Sequence, residues 1–155
     1  MHNHVRFVFG PAIAIAFAVT GCGSPMLPGS ALVLNERSSS VLTASRDPVT
    51  ILGATVTEDL LSVDVRYGGG CAEHAFSLHH SGIFRESYPV HTDMTLAHDA
   101  GGDACRALIQ RTLEFDLTPV KTLYQRSYGA TNGVIDVSLG SAGEPGAMAS
   151  FRYEF

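Results

Sequence analysis

From Val49 to the end of the chain, apolar residues recur at every second position in short runs separated by turn-forming residues. The clearest run is RALIQRTLEFDL. Ala107, Ile109, Leu113, Phe115 and Leu117 share one parity, with Arg111 alone breaking the set, while Gln110, Thr112, Glu114 and Asp116 share the other. A helix would scatter these residues around its cylinder, whereas a strand segregates them onto two faces. Half-buried strands need a second layer to cover their apolar face.

The same texture assigns the other elements. VTILGATVTED and LLSVDVRYGG flank Glu58-Asp59 and read as a hairpin, with Leu61, Val63 and Val65 on the buried face and Gly68-Gly69-Gly70 ending the second strand. CAEHAFSLHH follows, then a loop SGIFRESYP, then VHTDMTLAH as the returning partner. Pro119 ends the RALIQRTLEFDL strand, and PVKTLYQRSYG is expected to make one short helical turn. Asn132-Gly133 precedes the strand VIDVSL, GSAGEPG separates it from AMASFRYEF, and Ala31 to Leu34 could add an edge strand. The expectation is all-β: an antiparallel β-sandwich of about seven strands over residues 48–155, with a closed barrel as the alternative.

The beginning of the chain has a different character. Phe7 to Val19 is almost wholly apolar, follows Arg6, and is shorter than the roughly 20 residues that span a bilayer. It reads as a secretion signal over residues 1–21. Val19-Thr20-Gly21-Cys22 closes it, and this tetrad resembles the lipobox of bacterial lipoproteins. The resemblance implies acylation of Cys22, palmitate-type chains at the new amino terminus, and a protein tethered to the membrane without spanning it. Two or more acyl chains anchor stably because each buried methylene contributes about 0.8 kcal/mol. Gly23 after the cysteine implies sorting to the outer membrane, facing the periplasm. Residues 22–47, rich in Gly, Pro and Ser, then read as a flexible tether.

Charge limits the partners. The formal net charge is −5 and no run of basic residues occurs, so the footprint that nucleic-acid binding requires is missing. Cysteine usage agrees with export: with Cys22 set aside for lipid, Cys71 and Cys105 remain as a pair in an oxidising compartment and are expected to form one disulfide. No Cys-x-x-Cys spacing supports a redox or metal-binding pair.

The mature domain also resembles a family of uncharacterised small bacterial envelope proteins. The segments that carry the likeness are Gly69-Gly70-Cys71-Ala72-Glu73-His74-Ala75-Phe76, Asp103-Ala104-Cys105 and Phe115-Asp116-Leu117-Thr118-Pro119, with Tyr128 and VIDVSL following. The resemblance implies a shared β domain pinned by a disulfide, and brings no catalytic activity with it.

Three histidines stand in and around GGGCAEHAFSLHH. If residues 71–80 pair antiparallel with 89–98, His74 falls opposite or near His98, close to the cysteine pair. With Glu73, Asp99 or Asp103, the two imidazoles could hold zinc or copper. The alternative is that His74 satisfies backbone groups of the glycine-rich and Asp-Ala-Gly-Gly-Asp loops. His79 and His91 have the opposite parity and are expected to face solvent. Glu114 and Asp116 form an i, i+2 carboxylate pair that a solvated strand face explains, and Asp116 is placed to bond turn amides before Pro119. Gly-x-Ser-x-Gly, His-Glu-x-x-His and phosphate-loop motifs are missing from the sequence.

These readings point to a membrane-tethered, non-catalytic envelope lipoprotein that presents a binding surface to an envelope protein or small ligand. The alternatives are a periplasmic metal-binding protein centred on His74 and His98, and an inhibitor of an incoming enzyme that uses the loop bearing Phe84 and Tyr88.

Overall fold

The computed structural model describes residues 30–34 and 45–155. The apolar leader, Cys22 and most of the expected tether therefore lie outside the described residues. Eight strands and one helix follow in the order β1 (Ser30–Leu34), β2 (Thr50–Thr57), β3 (Leu60–Gly69), β4 (Ala75–His80), β5 (Val90–Asp99), β6 (Ala107–Asp116), α1 (Thr118–Tyr128), β7 (Val134–Ser141) and β8 (Met148–Glu154). They form two sheets, one with the order β1-β4-β5-β7-β8 and one with the order β2-β3-β6. The fold is thus the all-β sandwich that the alternation implied, and β1 occupies an edge.

Pairing in the three-stranded sheet is antiparallel throughout, with β3 and β6 matched residue for residue from Leu60↔Asp116 to Gly69↔Ala107. The five-stranded sheet departs from the antiparallel expectation, because β1 runs parallel to β4 and β5 runs parallel to β7. The chain leaves β5, crosses to the other sheet for β6, passes through α1 and returns to lie beside β5. A parallel pair needs such a long crossover, and here it carries a strand of the opposite sheet.

The core is the meeting of the two inner faces. Leu61, Val63 and Val65 of β3 and Leu113 and Phe115 of β6 face Leu78, Met94, Leu96, Ile135, Val137, Leu139 and Tyr153 from the larger sheet, all of them buried. Each such side chain contributes about 1.5–3 kcal/mol on burial. The core-parity residues at the start of β6 behave differently: Ile109 is only partly buried and Arg111 is exposed, so the sandwich opens at that end.

The helix is longer than the single turn expected from the sequence. Pro119 occupies its first turn, where a missing N–H costs nothing, and Gly129 ends it in the left-handed region at φ 65° with its N–H donating to the Gln125 carbonyl. Only Val120 is buried along it, which is why no apolar stripe announced it. Asp116 Oδ1 accepts the Thr118 N–H at 2.8 Å, the turn bond anticipated for that residue. Asp59, in the β2–β3 turn, joins the helix to the end of β8. It accepts from the Tyr153 hydroxyl at 2.6 Å and from Lys121 Nζ at 3.0 Å, while its carbonyl accepts the Leu117 N–H. These bonds, Tyr153 first and Lys121 second, hold the Asp59 carboxyl below its usual range.

Candidate functional site

The chemistry-bearing residues gather at the open end of the sandwich, where β3 and β4 meet the loop between β5 and β6. Cys71 and Cys105 are joined in a disulfide across a sequence separation of 34, with Cα atoms 5.9 Å apart. Between them sits Asp103. Its Oδ2 accepts backbone N–H groups of Gly70 at 2.8 Å, Cys71 at 2.8 Å and Ala72 at 3.0 Å, and its Oδ1 accepts that of Cys105 at 2.8 Å. The Cys105, Cys71 and Ala72 amides, aided by His74, keep its carboxyl far below the ordinary carboxylate range. Gly70-Cys71-Ala72 is therefore a backbone cradle for one carboxylate, and the disulfide fixes the two loops that form it. Gly69, at φ 151°, lies against this cradle, where a Cβ would overlap the His74 ring.

The two imidazoles extend the network. β4 pairs antiparallel with β5 in a register that places Phe76 opposite His98, so His74 is diagonal to His98. His74 Nδ1 and His98 Nε2 lie 2.7 Å apart, His74 Nε2 lies 3.2 Å from Asp103 Oδ2, and His98 Nδ1 lies 3.1 Å from the Pro48 carbonyl. Donor counting assigns the hydrogens. A carbonyl only accepts, so His98 Nδ1 carries a hydrogen; neutral His98 then accepts at Nε2 from His74 Nδ1–H. His74 Nε2 meets a carboxylate oxygen that already accepts three amides. The His98 ring is kept neutral chiefly by burial, with the Pro48 bond acting in the opposite sense and the charge on His74 adding to the downward shift.

This geometry bears on each candidate ligand. Two imidazole nitrogens on one zinc, each about 2.0–2.1 Å from the metal, stand about 3.3 Å apart in tetrahedral geometry. Here they touch through a hydrogen bond and their remaining nitrogens are engaged. Asp103 is spent on amides, and Asp99 Oδ1 accepts the Gly101 N–H at 2.9 Å. Glu73 is exposed. The structure brings His74, His98 and Asp103 together and leaves Glu73 and Asp99 out. The one compact cluster of metal-type side chains among the described residues is Cys71, Asp103 and Cys105, and its sulfurs are bonded to each other.

Acid–base catalysis lacks its terminus. The relay from Asp103 through His74 and His98 ends on the Pro48 carbonyl, not on a hydroxyl or thiol, and the side chains of His74 and Asp103 are only 3% and 1% exposed. His74 bonds side chains, not the loop amides that the sequence suggested for it. Replacing His74 with Ala would leave the buried His98 Nε2 without a partner, while Asp103 Oδ2 keeps its three amides, and a loss of about 1–3 kcal/mol in denaturant unfolding is expected. Elemental analysis of the same purified proteins after equilibration with zinc should find well under one metal per chain in both.

Two other sequence expectations need correction. His79 is not solvent-facing: β1 and β5 flank its strand, the residue is only 7% exposed, and Nε2 meets the Ser77 hydroxyl at 2.8 Å. His91, in contrast, is partly exposed beside Asp93 and Ser138. In the loop before β5, Tyr88 is fully exposed, but Phe84 turns inward against His80, Tyr124 and Tyr128. Glu114 and Asp116 are exposed.

Beside the disulfide, a cleft of about 570 Å³ is lined by Tyr67, Glu73, His74, Ala75, Ile109 and Arg111, together with Ala72. Sequence reasoning singled out Arg111 only as a break in an apolar set. Its inward parity at the mouth of the sandwich was the available signal.

No family model matches the chain and no curated protein matches it. Solved structures do. A protein of Parabacteroides distasonis, provisionally described as toxin-related, is 16% identical with a TM-score of 0.54, covering 82% of this chain and 60% of its own. A NigD-like immunity protein of Bacteroides caccae is 15% identical with a TM-score of 0.51, covering 81% of this chain and 64% of its own. A protein of Bacteroides fragilis, provisionally described as a lipoprotein, is 13% identical with a TM-score of 0.54, covering 81% of this chain and 69% of its own. This chain spans about six-tenths of the first of these structures. At such identities the likeness establishes a shared fold.

Proposed function

We propose that the chain is an envelope lipoprotein whose β-sandwich acts by binding and not by catalysis. The observation that carries this reading is the self-contained network at the open end: every nitrogen of His74 and His98 is bonded internally, and the relay ends on a carbonyl. A side chain already saturated by its own fold is a poor acid or base for a substrate.

Export and anchoring are supported by the lipobox-like Val19-Thr20-Gly21-Cys22 and by the disulfide, which suits an oxidising compartment. No helix among the described residues is long and apolar enough to cross a membrane. The B. fragilis structure described as a lipoprotein and the immunity-like B. caccae structure share the fold, which fits a binding module held at the envelope. Outer-membrane sorting follows from Gly23 as part of the same proposal.

Growth with an alkynyl fatty acid tests the anchor. The protein should take up the label, and Cys22→Ser should abolish it. Label retained in the Cys22→Ser protein, or a mature amino terminus that does not begin at Cys22, would reject the lipid assignment.

A further inference from the structure

The cleft at the open end contains two features that the fold itself leaves unused. Arg111 stands at a core-parity position of β6, opposite Val65, where its neighbours Leu113 and Phe115 are buried. A cation there gains nothing from packing into an apolar interior and would be costly to bury. Among the described residues no carboxylate lies within ion-pair distance of it, although Asp59, Asp93, Asp103 and Asp136 all have cationic or histidine partners. Tyr67 is the second feature. The residue is only 7% exposed, its ring packed near His74, Phe76 and His98 at centroid distances of 4.8, 5.2 and 5.1 Å, yet its hydroxyl takes no hydrogen bond from any described residue. Both side chains line the same cleft of about 570 Å³, whose wall also includes Ile109 and Ala75. That volume lies within the roughly 300–1,000 Å³ typical of small-ligand sites.

We infer that this cleft binds a monocarboxylate bearing an apolar substituent, with the Arg111 guanidinium and the Tyr67 hydroxyl as the carboxylate's donors. This assignment rests on the reading of the domain as a binding module and names the ligand class. A guanidinium presents parallel N–H groups that match the two oxygens of a carboxylate, and the tyrosine hydroxyl adds a directional donor. The apolar wall takes the substituent. Glu73 in the same cleft opposes a second negative charge, so a singly charged carboxylate is preferred to a phosphate dianion. A peptide's C-terminal residue and a short fatty acid share this chemistry.

Calorimetric titration of the purified full protein in nonionic detergent tests the assignment with four probes: N-acetyl-leucine, N-acetyl-leucinamide, hexanoate and inorganic phosphate. N-acetyl-leucine is expected to bind and its amide to bind at least about tenfold more weakly, since a charge-assisted bidentate contact contributes that much or more. Arg111→Gln should bring a similar loss, Arg111→Lys a smaller one, and Tyr67→Phe a several-fold loss, all with unchanged thermal midpoints. Hexanoate binding as tightly would assign the site to carboxylates in general, whereas failure of hexanoate alone would assign it to peptide termini. Equal binding of acid and amide, undiminished binding by a folded Arg111→Gln protein, tighter binding of phosphate, or no heat with N-acetyl-leucine up to about 10 mM would overturn it. Fatty-acid labelling at Cys22 reads the anchor separately, so a failed titration leaves that result standing.

Discussion

Reducing the Cys71–Cys105 disulfide, or replacing both cysteines with serine, is expected to lower the unfolding free energy by about 3–4 kcal/mol. In the chain-entropy account, that is the contribution of closing a loop of this length. The bond joins residues 34 apart and encloses β4 and β5, so breaking it frees the unfolded chain without removing any core side chain. The loss equals that of about two buried aliphatic side chains, a large part of a small domain's stability. Urea unfolding of the oxidised and cysteine-free proteins, compared at equal slopes, measures it. A difference under about 1 kcal/mol would mean that the Asp103 cradle holds the two loops without help from the cross-link.

Acidification should weaken the fold well before its carboxylates protonate. His80 is fully buried. Its Nδ1 accepts the Gly82 N–H at 3.3 Å, so Nε2 carries the hydrogen and donates to the Thr92 hydroxyl at 2.8 Å, which in turn donates to the Ile83 carbonyl. The neutral ring is fully bonded and the charged ring is disfavoured, because burial pushes its pKa down to about 4. The unfolded chain binds the proton near pH 6.5 and the folded chain does not, so stability is complete above that value. It declines as the pH falls from about 6.5 to about 4, and levels off below. A shift of that size corresponds to about 3 kcal/mol. His98 and His79 are shifted in the same direction by burial and add to the slope. Asp103, held far lower by its amides, is still ionised across that window. The pH dependence of the unfolding free energy should flatten in His80→Gln, which keeps a donor and an acceptor but no titration in this range. An unchanged slope in that variant would show that the acid sensitivity arises elsewhere.

The strands were legible because period two is a local property: each of β2 to β8 coincides with an alternating run, and the glycine and proline breaks mark their ends. The disulfide was legible from cysteine number and compartment. Partner choice was not, since alternation states which face is buried and not which neighbour lies alongside; hence the parallel β5–β7 pair came as new information. Parity put His79 on the outer side of its strand, but burial there depends on the strands beside it. Asp103 was read only as a possible metal ligand, although Asp commonly bonds the amide two residues on, as it does here with Cys105. Its grip on Gly70, Cys71 and Ala72 depends on loops that only the fold brings together. Arg111 shows the opposite case: a break in a pattern, visible in one dimension, acquires meaning only where the sandwich fails to close over it.

The excursion between β5 and β7 also bears on how the molecule is made. β7 pairs with β5 across an excursion that includes β6 of the smaller sheet and α1, and β8 lies beside β7 at the edge of the larger sheet. The pairs β2–β3, β4–β5 and β7–β8 are local, but β3–β6 and β5–β7 join distant parts of the chain, and assembly that depends on distant pairings is slow. Joining the hairpins into a sandwich is thus the slow step, and until it is complete the apolar inner faces stay open to a chaperone or a protease.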